Sequence, residues 1–214
     1  GQWLVKNSCA DSVFFCNSGA EANEAAIKLA RKHAHINLGI EQPIIMTAEN
    51  SFHGRTLAAL SATGQPKYHK GFEPTVKGFE FFIYNQWESF INTFNSLKAT
   101  NSKVSAVLIE PIQGEGGIKP GEKKFFSHLR DFCTENNIVL IFDEIQSGMG
   151  RTGKLWGYEH LDVEPDVFTI AKGLGGGHAI GALLAQKSLD IFSAGDHAST
   201  FGGNPFACKA GLTV

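Results

Sequence analysis

The chain has few cysteines, no long apolar run and no excess of charge of either sign, and each shortage removes a class of protein. Its four cysteines (Cys9, Cys16, Cys133 and Cys208) are widely spaced and form no C-x-x-C pair. That spacing argues against a disulfide framework or a cysteine zinc site, and fits reduced, mostly buried thiols of a cytosolic protein. No uninterrupted apolar stretch approaches the roughly 20 residues a helix needs to cross a bilayer. The opening Gly1-Gln2-Trp3 has none of the charged and apolar blocks of a signal peptide. Lys and Arg number 19 against 21 Asp and Glu, a formal charge of −2. Such a balance offers no basic footprint for nucleic acid and no polybasic surface for a membrane. A G-x-G-x-x-G fingerprint and a Walker lysine are missing too, so a nucleotide site has little support.

What is abundant is more telling. Twenty-four glycines cluster in short runs beside apolar segments, as close approach of backbone to a ligand requires, and 17 phenylalanines supply a large core. At 214 residues the chain is long enough for one sizeable domain. Strand-like runs are expected at 12–16, 43–48, 79–84, 104–110, 138–142, 167–171 and 180–186. Helical patterns are expected at 20–35, 56–62, 86–97, 122–136 and from Pro205 onward. The first long helix carries Ala22, Ala26, Leu29 and Ala30 on one face, with Ser18 and Glu21 as a capping box at its start. Helix 122–136 turns Phe125, Phe126, Leu129, Phe132 and Cys133 to one side. Residues 64–78, with two prolines, read as an irregular loop. The alternation of strand and helix predicts a mainly parallel sheet covered on both faces. With no linker or repeat, residues 1–214 read as a single domain. The missing initiator methionine and an ending inside a helix suggest a piece of something longer.

Two strand ends carry the chemistry. Val139-Leu140-Ile141-Phe142 runs into Asp143-Glu144, and Val167-Phe168-Thr169-Ile170-Ala171 runs into Lys172, followed by glycines. If these strands lie side by side and parallel, Asp143 and Lys172 emerge together at the carboxyl edge, where open α/β sheets bind ligands. An amine for a Schiff base beside a carboxylate for a pyridinium nitrogen is what a pyridoxal phosphate enzyme needs. Lys172 alone also reads as a solvated strand cap, but the apolar run before it and the glycines after it suggest a partly enclosed amine.

Other motifs gather at neighbouring strand ends. Asn17-Ser18-Gly19-Ala20 joins a strand to a helix N-terminus, which favours an anion, although by itself it is also a capped helix with no ligand. Ser51-Phe52-His53-Gly54-Arg55-Thr56 puts an aromatic that could stack on a ring beside a guanidinium that could grip a carboxylate. His53 reads there as a structural hydrogen-bonding residue. Glu110-Pro111-Ile112-Gln113-Gly114-Glu115-Gly116-Gly117 reads as an acidic, glycine-rich turn. Asp143 and Glu144 are a weak metal signal, and no metal is expected.

The segments Phe15–Glu24, Ser51–Thr56, Ile109–Gly117, Phe142–Gln146 and Ala171–Gly173, in that order and spread over nearly the whole chain, resemble the class III (ω-type) pyridoxal phosphate aminotransferases. The stretches Ser61–Gln65 and Gly195–Pro205 differ from what ornithine and 4-aminobutyrate aminotransferases usually carry. The resemblance implies an α/β, fold-type I transferase large domain with a mostly parallel seven-stranded sheet flanked by helices. It also implies that an N-terminal segment and a C-terminal small domain lie outside residues 1–214. The cofactor is implied to be pyridoxal 5'-phosphate, with Lys172 bonded to it and Asp143 facing its ring nitrogen. Gln146 is implied to reach its phenolic oxygen, Ser18, Gly19 and Ala20 its phosphate, and Phe52 its ring. Thr200 is implied to reach the phosphate from the partner in a homodimer. Arg55 is implied to take the substrate's distal carboxylate and Glu115 to act as a gating acid. The implied reaction moves the δ-amino group of N-acetyl-ornithine to 2-oxoglutarate in the cytoplasm. Succinyl-ornithine, succinyl-diaminopimelate, ornithine and 4-aminobutyrate are alternative donors, and an inactive cofactor-binding or dimerisation piece is a further alternative. His178-Ala179 stands where the family often has Phe-Pro.

Overall fold

Every apolar run read as a strand forms one, but the spatial order of the strands is not their order in sequence. The computed structural model describes residues 1–214. The strands are β1 (Ser12–Cys16), β2 (Pro43–Ala48), β3 (Phe79–Phe82), β4 (Lys103–Ile109), β5 (Ile112–Gln113), β6 (Lys119–Pro120), β7 (Val139–Asp143), β8 (Val167–Ile170) and β9 (Gly181–Ala185). The helices are α1 (Gln2–Lys6), α2 (Gly19–Leu38), α3 (Leu57–Ala62), α4 (Pro66–His69), α5 (Trp87–Ala99), α6 (Lys123–Glu135) and α7 (Pro205–Thr213). Seven strands make one sheet in the order β1-β9-β8-β7-β4-β2-β3. From β3 to β8 the pairings are parallel, whereas β9 runs antiparallel to both β8 and β1.

The alternation of side chains along each strand builds two cores, one on each face. On β4, Val107 and Ile109 join one core while Ala106 and Leu108 join the other; on β7, Leu140 and Phe142 part from Val139 and Ile141 in the same way. The first core is aromatic. Phe90 of α5 and Phe125 and Phe126 of α6 pack there with Phe82, Phe142, Trp156 and Phe168. The second core is made of small residues, with Ala25, Ala26, Leu29 and Ala30 of α2 lying against Ile45, Leu108 and Ile141. Alanine on that face lets α2 approach the sheet closely, and because β1 runs the same way as β8, the two-residue turn Asn17-Ser18 puts the N-terminus of α2 at the carboxyl edge.

Three local features depart from the sequence reading. Helix α2 continues three residues past His35 and stops at Gly39, whose φ of 64° is the left-handed C-terminal cap that glycine adopts without strain. The 64–78 loop contains the short helix α4, and the acidic glycine-rich turn is the tip of a β5–β6 hairpin. Pieces this short have no periodicity to read. The four cysteines are unpaired, with Cys16 and Cys133 buried. Burial pushes the Cys133 thiol up to about 12. No helix is long and apolar enough to cross a membrane.

Candidate active site

Strands β7 and β8 are parallel neighbours, with Asp143 in register with Thr169. Three residues beyond Thr169 the chain turns at Lys172, which has φ 40°, a backbone conformation that lysine rarely adopts. Asp143 and Lys172 thus emerge at one sheet edge, as their sequence context predicts, and both line a cleft of about 490 Å³. Lys172 lies open to that cleft and forms no ion pair within the chain. Desolvation still holds its amine below the usual lysine range, opposed by the negative charge of Asp143, Glu115 and Glu110.

The opposite wall is the start of α2. Ser18 caps the helix by accepting from the Glu21 N–H at 3.2 Å. The reciprocal half of the expected box is displaced by one residue, because the Glu21 carboxylate accepts from the Asn17 N–H at 2.6 Å instead. The first N–H groups of a helix have no acceptor inside it, and those of Gly19 and Ala20 belong to residues that line the cleft. Gly19 has a second reason to be glycine: a Cβ there would lie 2.8 Å from the Ile145 side chain.

Phe52, Arg55 and Gln146 line the same cleft. Arg55 stacks over the Tyr68 ring at 4.3 Å and lies 5.4 Å from the Phe52 ring centre, so two aromatics steer its guanidinium while it stays exposed. Tyr68 sits in α4, inside the stretch read as an irregular loop, and nothing local in sequence marks it. Glu24 fixes the other side of this turn by accepting from the Thr56 hydroxyl and from the N–H groups of Ala58 and Ala59. Gln146 packs directly on Gly114, where any Cβ would lie 2.1 Å from its amide oxygen.

Asp143 is held by three donors. Its Oδ1 accepts from the Ile145 N–H at 3.1 Å, and its Oδ2 accepts from Asn23 Nδ2 at 2.8 Å and pairs with His53 Nδ1 at 2.8 Å. Asn23 is the main residue that sequence reasoning missed, although a polar side chain amid the alanines of the α2 core face was a legible signal. His53, read as structural, sits directly on Asp143.

Glu110, buried at the end of β4, accepts from the N–H groups of Phe52 and Gly114 and so ties two cleft loops together. Burial raises its carboxyl from 4.5 to about 7, against the pull of His53 and the two N–H groups. The stability contributed by this raised acid is complete below about pH 4.5 and is lost as pH rises through about 7. Glu110→Gln is therefore expected to flatten that dependence. Urea midpoints measured near about pH 5 and about pH 8 should differ less in the variant than in the parent.

Glu115 and Thr200 are exposed and do not line the cleft; Thr200 borders a separate depression beside Ser199 and His197. Glu144, the other acid of the weak metal signal, is a buried anchor that accepts from the Ser147 hydroxyl and the N–H groups of Gly157 and Tyr158. His178 lines the cleft with its ring edge on Phe206, 4.8 Å between centres. A larger cavity, about 1080 Å³, opens at the opposite, amino edge of the sheet. There Arg130 is paired with Asp166 at 3.0 Å, and none of the residues discussed above as cofactor or substrate contacts is present. Its size does not make it the reactive site.

A parallel sheet with a lysine and a hydrogen-bonded aspartate at one edge, facing a helix N-terminus, defines an α/β enzyme of the group-transfer kind. The chain belongs to the class-III aminotransferases, whose family pattern matches residues 1–214. The acetylornithine aminotransferase of Prochlorococcus marinus is 70% identical over 213 residues, covering 100% of this chain and 51% of that protein. That of a Synechocystis species is 60% identical over 214 residues, covering 100% and 50%. Among solved structures, the ornithine aminotransferase from Toxoplasma gondii ME49 superposes with a TM-score of 0.91 at 34% identity, covering 99% of this chain and 50% of that one. The N-acetylornithine aminotransferase from Stenotrophomonas maltophilia superposes at 0.75 with 38% identity, covering 99% and 49%. The chain spans about half the length of the curated relatives it matches. Its fold is the mostly parallel seven-stranded α/β architecture of fold-type I transferases, and the family's cofactor is pyridoxal phosphate.

Proposed function

We propose that this chain is the cofactor-binding large domain of an aminotransferase that moves the δ-amino group of N-acetyl-ornithine to 2-oxoglutarate. The products are N-acetylglutamate semialdehyde and glutamate, a step of arginine biosynthesis. The observation that carries the reading is one cleft holding an amine free of ion pairs, a triply hydrogen-bonded carboxylate and the open N–H groups of a helix start. The names of relatives 60–70% identical favour N-acetyl-ornithine over the other donors.

The donor set fits pyridoxal phosphate. When bound, the cofactor supplies a ring that withdraws electrons from the substrate's amino-bearing carbon. Ser18, Gly19 and Ala20 would hold its phosphate with N–H groups that the helix cannot use, and the helix dipole adds to the attraction. Phe52 would cover a ring face, Gln146 would donate to the phenolic oxygen, and Asp143 would keep the ring nitrogen protonated. Lys172 Nζ would be the amine that holds the cofactor and, once freed by the incoming substrate amine, the base that takes the proton from the substrate carbon. Its lowered affinity for protons suits both tasks. Arg55 would grip the distal carboxylate, and Glu115 on the hairpin tip would gate that site. Thr200 would complete the phosphate site of a second copy in a cytoplasmic homodimer.

The test is turnover of N-acetyl-ornithine by the full-length enzyme beside succinyl-ornithine, succinyl-diaminopimelate, ornithine and 4-aminobutyrate. Faster turnover of any competitor assigns the chain to that substrate instead. Residues 1–214 alone should bind the cofactor weakly and turn over slowly. An open cleft admits water, which weakens each electrostatic contact. Equal specific activity of the 214-residue chain and the full-length enzyme would show a self-contained site.

Arg55→Lys should weaken donors with a distal carboxylate by about 1.5–3 kcal/mol, because an ammonium cannot reproduce the bidentate fork. Simple amines should be little affected. Equal losses for both kinds of donor would assign Arg55 to stacking on Tyr68 alone.

A further inference from the structure

Behind Asp143 lies a buried polar chain that reaches the next strand. The Thr169 hydroxyl donates to Asn23 Oδ1 at 2.8 Å. Asn23 Nδ2 donates to the His53 carbonyl at 2.7 Å and to Asp143 Oδ2 at 2.8 Å. All three side chains are buried, and neither Thr169 nor Asn23 lines the cleft. The amide of Asn23 has three partners and one orientation that suits them. Turned over, its oxygen would face two acceptors, Asp143 Oδ2 and the His53 carbonyl. Thr169 secures the correct orientation from behind, because its single hydroxyl hydrogen is given to Asn23 Oδ1.

Thr169 also faces Asp143 in the strand register. Strand β8 thereby fixes Asp143 twice, once through the backbone ladder and once through helix α2. A threonine on an apolar strand would ordinarily be explained by strand preference alone. Its hydroxyl, however, would be costly to bury unless it were used, and here it is used on the residue that holds the carboxylate.

We propose that Thr169 and Asn23 are positioning residues for Asp143, forming a relay from β8 through α2 that sets the orientation of its carboxylate toward the cleft. The relay rests on the functional reading above, since Asp143 needs a fixed orientation only if it serves a bound ring. It assigns Thr169 a role in catalysis although the residue touches neither substrate nor cofactor.

Two substitutions at one position separate this role from plain packing. Thr169→Val keeps the branched shape, favours a strand and deletes the hydroxyl. Thr169→Ser keeps the hydroxyl and favours a strand less. A packing role predicts that serine is the more damaging change. The relay predicts the reverse order for turnover. In the full-length enzyme, Thr169→Val should lower kcat roughly tenfold with KM for N-acetyl-ornithine little changed, while Thr169→Ser stays within about twofold of the parent. Affinity of the apoprotein for pyridoxal phosphate should follow the same order when measured well below both thermal midpoints, because the valine variant also leaves Asn23 Oδ1 without its donor. Valine and serine variants of equal turnover would overturn the relay. So would a valine variant whose lost turnover is fully matched by a smaller fraction of folded protein at the assay temperature. If the parent enzyme neither binds pyridoxal phosphate at Lys172 nor transfers amino groups, the functional reading falls and the relay with it. A parent that does both while the two variants behave alike sinks the relay only.

Discussion

Lys172→Ala is expected to abolish covalent attachment of pyridoxal phosphate and to reduce amino transfer to background, while weak binding through the phosphate site persists. Lys172 is the lysine that follows the buried strand beside Asp143, and its amine has no ion-pair partner in the chain. The residue also sits at φ 40°, a conformation that disfavours every side chain except the absent one of glycine. Strain of about 1–3 kcal/mol at such a position persists only when the surroundings impose it. The turn that Lys172 opens is packed tightly here: a Cβ at Gly173 would lie 3.1 Å from Met149 and one at Gly175 2.8 Å from Ile180. Lys172→Gly should therefore equal or exceed the cofactor-free parent in thermal stability while losing all covalent cofactor, a combination that a solvated surface lysine would not show. Borohydride reduction followed by peptide mass spectrometry reads the attachment point directly. A pyridoxyl group on any other lysine would refute the assignment.

How far the sequence announced this site depends on where each residue's signal lies. Asp143 and Lys172 were legible because an acid and an amine at the ends of apolar runs contradict the pattern around them, and strand ends are where α/β sheets bind ligands. The start of α2 was legible through Ser18 and Glu21, whose spacing marks a helix N-terminus even though Glu21 caps Asn17 in the folded chain. Tyr68 was not, since its contact with Arg55 comes from a one-turn helix with no periodicity. The relay was half visible. Asn23 interrupts the alanine face of α2, but Thr169 is what any strand contains, and only the register of β7 against β8 brings the two to Asp143. The strand order was beyond reach of local pattern as well. β9 pairs with β8 close by in sequence, but its other neighbour is β1, where Ser12 meets Ala185 from 173 residues away.

Asp143→Asn is expected to leave the fold and the covalent bond at Lys172 intact and to cut turnover by about two to three orders of magnitude, the scale of losing a pre-organised electrostatic contact in a dry site. Two effects act together. The variant would lack the negative charge proposed to keep a ring nitrogen protonated, and with it the electron withdrawal that would ease proton removal by Lys172. It also breaks the geometry around residue 143. The parent carboxylate accepts on both oxygens, from Ile145 on one and from Asn23 and His53 on the other. An amide has one acceptor oxygen and one donor nitrogen, so it can serve only one of those sides. The other side then sets donor against donor, which costs about 1–3 kcal/mol for each buried group left unmatched. The expected signature is a fall in kcat with covalent cofactor still trapped at Lys172, seen by single-turnover kinetics on the loaded full-length enzyme. Asp143→Glu should recover little, because the longer side chain keeps the charge but cannot hold both oxygens on the three donors. Near-normal single-turnover transfer in Asp143→Asn would remove Asp143 from the mechanism and return Thr169 and Asn23 to a packing role.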